Sequence, residues 1–168
     1  MGGNRAAMAT LIESFAGVAP NGTVGDALRQ RAEIVKLSEA AHDAVLVPRE
    51  PGGLSHALRA ALAARMARHL GDPAAASHYD FYVTHQGDAE TAPLTQPGSH
   101  ADDPRTEAIV CHVDLLTLSP RDATRGSIEA LRAAGVEEAD IVRLSELAAF
   151  VNYQLRVVAG LRLLGSMQ

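Results

Sequence analysis

The stretch SIEALRAAGVEEADIVRLSELAAFVNYQLRVVAGLRLL, Ser127 to Leu164, decides the fold. It reads as a short helix, a glycine stop at Gly135 and then one long amphipathic helix. Beyond the stop, apolar residues fall at Ile141, Leu144, Ala148, Val151, Leu155 and Val158, in steps that alternate between three and four. That spacing gathers them on one side of a helix. Leu147, Phe150 and Leu161 widen the stripe, so burial along most of the helix is expected. Glu137, Glu138 and Asp140 occupy the first turn, where carboxylates meet the positive end of the helix dipole, and Arg156 and Arg162 lie toward the other end.

The rest of the chain fits around that helix. Its 168 residues make one domain, 1–168, and 47% of them are apolar, enough for a core. Alanine and leucine dominate over valine and isoleucine, and there are three tyrosines, three phenylalanines and no tryptophan. Such a core is built helix on helix, because small and unbranched side chains favour helices and let their axes approach. A net charge of -5 without a basic run excludes nucleic acid as the main partner. The single cysteine, Cys111, excludes an intrachain disulfide and fits a reducing compartment. Glu13 interrupts the apolar start of the chain, and no uninterrupted apolar run is long enough to span a membrane. A cytoplasmic location without a membrane partner is the expectation.

In chain order, residues 1 to about 18 form a short amphipathic helix with Met8, Leu11, Ile12 and Phe15 inward, ended by Pro20, Asn21 and Gly22. Thr23 or Asp26 opens a helix to about Leu46, with Leu28, Val35, His42 and Leu46 on one side. PREPGG, Pro48 to Gly53, closes this N-terminal helical extension of residues 1–50 as a turn. Ser55 is the expected N-cap of the next helix and Gly71 its stop, with Leu58, Leu62 and Met66 in steps of four. Asp72-Pro73 then pairs an N-cap with a first-turn proline and opens a helix through His85. Residues 87–102 carry glycine and proline breaks and no period, which predicts a loop with freedom to move. Asp103-Pro104 repeats the start signal for a helix through Cys111 to about Leu118, Ser119-Pro120 ends it, and Thr124 caps the next. No segment alternates with period two. The expectation is an all-α fold of about seven helices.

CHVDLLTLSPRDATRGSIEALRAAGVEEADIVRLSELAAFVNYQLRVVAGLRLL, Cys111 to Leu164, resembles the C-terminal part of the peroxidase-related branch of the carboxymuconolactone decarboxylase family, which includes the AhpD-like alkylhydroperoxidases. The similar features are the LT-x-SP turn at Leu116 to Pro120, the EALRAAG helix pair, and an AF-x-NY-x-x-R-x-x-x-GL ending through Asn152, Arg156 and Gly160. LSHALRAALAARMARHLGD, Leu54 to Asp72, is similar to the helix before that family's active site, so the family-like core covers residues 54–164. The resemblance implies antiparallel helix pairs in an AhpD-like bundle that associates into trimers or hexamers. Redox members of the family carry Cys-x-x-Cys-x-x-x-His at the place where this chain reads DPAAASHY, Asp72 to Tyr79, without a cysteine. Their chemistry needs one thiolate to attack peroxide and a second thiol to resolve the sulfenic acid. The glutamate those enzymes often place after the helix arginine is also missing, since Ala60 follows Arg59. The decarboxylase members keep a histidine on this helix, to which His78 corresponds.

The candidate site therefore centres on the helix opened by Pro73. His78 shares its face with Ala75, Tyr82 and His85, and Tyr79, Phe81 and Tyr82 are three of the chain's six aromatics. A histidine among aromatics suits proton transfer on a small organic acid or lactone, with Tyr82 bonding substrate oxygen and Tyr79, His85 and Arg156 available to bind it. The competing reading has these rings satisfy one another at a packed or subunit interface. No metal is expected, because His78 and His85 stand two turns apart, about 10.5 Å along the axis, and no His-x-x-x-His pairs them. No cofactor is expected either. Cys111 and His112 are adjacent and diverge by about 100°. A buried, inert Cys111 is the preferred reading, and a lone peroxidatic Cys111 needing an outside thiol is the alternative. Asn152 and Arg156, one turn apart, either hold a carboxylate or line an oligomer interface, the latter preferred. Two functions follow: a dithiol-free family member acting by proton transfer through His78, or a non-catalytic oligomeric or small-molecule-binding member. Alkylhydroperoxidase activity ranks behind both. The surroundings of His78 discriminate, since catalysis needs a pocket wall with a polar group in reach.

Overall fold

The computed structural model describes residues 9–86 and 89–167. Among them are eight α-helices and no strand: α1 (Leu11–Ala16), α2 (Thr23–Arg29), α3 (Ala32–Leu46), α4 (His56–His69), α5 (Pro73–Gln86), α6 (Pro104–Leu118), α7 (Arg125–Ala133) and α8 (Glu138–Ser166). Short 3-10 turns span Ala92–Thr95 and Pro120–Asp122. The all-α expectation holds. The eighth helix arises because the predicted helix over residues 23–46 is two. Gly25 lies so close to the Pro20 carbonyl that a Cβ there would stand 2.4 Å from its oxygen. Arg29 also bonds that oxygen, so α2 is tied to the turn before it. Arg31, at φ -116° and ψ 27°, leaves the helical region and α3 starts afresh. Met8, expected inward on the first helix, lies outside the described residues, and α1 begins at Leu11 behind a reciprocal Thr10–Glu13 capping box.

At the centre stands α4. Every residue from Ala57 to Ala67 is buried, so this helix has no wet face. Its alanines let α5, α6, α8 and α3 pack directly against it. Two arginines share that burial. Arg59, 2% exposed, donates to the carbonyls of Val45, Pro51 and Leu54 and so fixes the connection from α3. Arg65 forms a bidentate pair with Asp114 on α6, both contacts at 2.7 Å, and donates to the carbonyls of Leu94, Gln96 and Ser99. The segment predicted to move freely is thus anchored over residues 92–99; Gly87 and Asp88 lie outside the described residues. Gly71, at φ 70°, turns the chain from α4 into α5, and Asp72 caps α5 by accepting from Ala75 N–H at 3.0 Å. The same carboxylate receives Arg162 from α8 at 2.9 Å.

The long helix is buried on its predicted stripe as far as Val158, and beyond it Leu163 and Leu164 are exposed. With 29 residues it is long and apolar enough, by length and composition, to cross a membrane, although Arg143, Glu146, Arg156 and Arg162 keep it from being an uninterrupted apolar run. In this fold its stripe packs against α1, α3, α4 and α6.

Candidate functional site

Four helices bring rings together around the middle of α5. The cap at Asp72 sets the register of α5 so that Ala75, Ala76, Tyr79 and Val83 face inward. His78 and Tyr82 stand half-buried beside them. From α3 comes His42, 2% exposed, on the face that also buries Val35 and Leu46. From α1 comes Phe15, and from α8 come Phe150 and Gln154. The His78 ring lies 5.1 Å from Phe15, 5.2 Å from Tyr82, 5.4 Å from Tyr79 and 5.5 Å from His42, centre to centre. His42 in turn stacks at 6.0 Å on Tyr79 and meets Phe150 edge-on at 6.2 Å. These are ordinary aromatic contact distances, and they wall both imidazoles in apolar surface.

The polar atoms inside this cage are unequally served. Tyr79 donates its hydroxyl to Gln154 Oε1 at 2.5 Å, and burial pushes the phenol well above its usual range. Burial also raises Tyr82. His42 Nδ1 lies 3.1 Å from Asp43 Oδ1, and a carboxylate only accepts, so Nδ1 carries the proton and Nε2 is a bare acceptor. That Nε2 is buried with no partner, and so is Nε2 of His78. Burial, and next the neighbouring His42, push His78 down to about 4. Burial likewise lowers His42, against the pull of Asp43. Both imidazoles are neutral at pH 7. A base this weak is poorly matched to proton abstraction near neutrality, whereas two unpaired nitrogens in a dry cage suit a hydrogen bond from a bound molecule.

The other predicted residues are scattered. His85 is exposed, its ring 3.7 Å from Phe81 and its Nδ1 on the Phe81 carbonyl, and it takes no part in the His78 cluster. Cys111 is exposed on α6, which corrects the expectation of a core cysteine; the neighbour that turns inward is His112, 5% exposed. Burial of the sulfur and the Glu107 carboxylate 3.5 Å away raise the Cys111 thiol, the opposite of what a peroxidatic cysteine requires. Arg156 is exposed on the flank of α8 turned away from the histidines. His69 bonds Asp114 at 2.9 Å, apart from His78 and His85. Among the described residues no group of three or more histidine, cysteine or acidic side chains is placed to hold a metal ion. Sequence reasoning missed His42 as a site residue. Its one signal was a histidine on the apolar side of its helix.

No protein-family model matches the chain, and no curated protein matches it. Among solved structures, an uncharacterised peroxidase-related protein from Silicibacter sp. TM1040 superposes with a TM-score of 0.66, covering 77% of this chain and 68% of that one. The chain has a peroxidase-related fold. At 17% identity the likeness is one of fold alone, and fold alone does not fix an activity.

Proposed function

We propose that this chain is a carboxymuconolactone-decarboxylase-like, AhpD-like protein without the redox dithiol, working as an oligomeric small-molecule-binding member of that family. The observation that carries the reading is the pair of buried, unpartnered Nε2 atoms of His42 and His78, the latter within the stretch where redox members place their thiols. Leaving such nitrogens unpaired costs about 1–3 kcal/mol each, and a ligand that donates to His42 Nε2 and pairs with His78 Nε2 in whichever tautomer it takes removes that cost. The raised thiol of the lone Cys111, away on α6, supports the absence of a sulfur cycle. Exposed Ile34 and Leu37 on α3 and Tyr153 on α8 support self-association as a trimer or hexamer. The test is peroxide consumption fuelled by dithiothreitol. Wild type and Cys111→Ser are expected to match the protein-free background, and turnover that disappears in Cys111→Ser overturns the reading.

One contact favours the rival reading of proton transfer on a small organic acid: the Tyr82 ring lies 5.2 Å from His78, a phenol beside an imidazole. It would give lactone or decarboxylation turnover that rises with pH around 4 and is lost in His78→Phe.

A further inference from the structure

The long helix α8 has two occupied flanks. Phe150 and Gln154 face the histidine cage. Asn152 and Arg156 follow each of them by two residues, about 200° around the helix, and so face the opposite way. There, with α6, α7 and the turn between them, they line an open groove of about 560 Å³. That volume is in the usual range for small-molecule sites. Leu116, Ile128 and Ala149 give it apolar walls, and His112, Asn152 and Arg156 are its principal polar groups.

Asn152 carries the argument. It is 5% exposed, and its Nδ2 donates to the Ala148 carbonyl at 3.0 Å. Because a carbonyl oxygen only accepts, the amide cannot be reversed, and Oδ1 is the end that looks away from the helix backbone. Oδ1 is buried and has no partner. It is an acceptor waiting for a donor. One turn further along, Arg156 is an exposed cation, and no ion pair is formed with it among the described residues. Arg65, Arg68, Arg105, Arg143 and Arg162 all have carboxylate partners. Thr124 at the groove's rim begins α7, whose positive end adds to the attraction for an anion. Burial lowers the pKa of His112, so near neutrality the positive charge offered to an anion is that of Arg156.

We propose that this groove binds a small organic carboxylate whose apolar body carries a hydroxyl group. The Arg156 guanidinium takes the carboxylate, Asn152 Oδ1 accepts the hydroxyl proton, and Leu116 and Ile128 hold the body between them. Asn152 and Arg156 are separated by about 6 Å along the helix axis, a span that a hydroxylated aromatic or short-chain acid bridges. This goes beyond the function proposed above and stands without it, since thiol turnover would overturn that reading and leave the groove unaffected.

The test uses the full chain, labelled with nitrogen-15 and titrated with 3-hydroxybenzoate or with benzoate. Amide shifts are expected to cluster around His112, Thr124 and residues 145–156, with 3-hydroxybenzoate binding several-fold tighter than benzoate. Arg156→Met, a change at an exposed position, is expected to weaken both acids about tenfold, the loss of one charge-assisted contact. Asn152→Leu is expected to erase the preference for the hydroxylated acid. If that variant fails to fold, the wild-type preference alone decides. Equal affinity for the two acids, Arg156→Met binding as wild type does, or shifts centred on His42 and His78 overturns the proposal, as does no binding up to about 10 mM, where weak fragments register.

Discussion

Acid should destabilise this protein through His78 in a way one substitution removes. In the folded chain its imidazole titrates at about 4, against the usual 6.5 when exposed. Between those values the unfolded chain holds a proton that the folded chain refuses, so stability falls as pH falls through the window and is unaffected above it. The gap amounts to about 3 kcal/mol below pH 4 and about 2 kcal/mol at pH 5 relative to pH 7.5. Partial exposure of the ring makes these upper figures. For a domain of this size, about 2 kcal/mol moves the melting temperature by roughly 4–8 °C. His78→Phe keeps an aromatic ring among Phe15, Tyr79 and Tyr82 but cannot take a proton. Thermal melts of both proteins from pH 7.5 to 4.5 give the measurement. Carboxylates lost to protonation affect both equally, so the difference between the curves reads His78 together with its repulsion of His42. Wild type is expected to lose several degrees more than His78→Phe between pH 6.5 and 5. Parallel curves would refute the account of a buried, neutral histidine.

Three further changes follow from particular contacts. Arg65→Met leaves Asp114 only its contact with His69 and takes the donor from the carbonyls of Leu94, Gln96 and Ser99, and urea titration should register a loss of about 3–5 kcal/mol; a loss under about 1 kcal/mol would mean the pair is not a tether. Tyr79→Phe leaves Gln154 Oε1 buried without its donor and is expected to cost about 1–3 kcal/mol in the same assay. A cost indistinguishable from zero counts against the hydrogen bond. Cys111 should alkylate with iodoacetamide at pH 7.5 more slowly than a free cysteine, and Glu107→Gln should speed it by relieving the carboxylate; a fast wild-type reaction would contradict the raised thiol.

What the sequence disclosed was local. The stripe of α8, the Asp103-Pro104 start of α6, the Ser55 cap and the Gly71 turn are each written within a few residues, and all stand where the pattern puts them. The break after Arg29 was hidden because its cause is a close approach of Gly25 to an earlier turn, which no residue at the break announces. Nothing near Arg59 and Arg65 announces that both are buried, because the groups that satisfy them lie up to 49 residues away. The site divides the same way. His78 and Tyr82 were visible as a cluster on one helix. The pairing of His78 with His42 was not, since it joins α5 to α3 across 35 intervening positions of chain. Cys111 and His112 were correctly set apart by the helical turn, but spacing alone cannot say which of two adjacent residues faces inward.

The absence of a wet side on α4 governs how the molecule comes apart. A helix needing cover from every direction has no stable existence until α3, α5, α6 and α8 surround it, and α5, which packs chiefly on α4, loses most of its shelter once it leaves. The bundle therefore melts as a single unit and does not peel from its rim inward, so proteases that wait for partial opening find little to cut between Ser55 and Gly71.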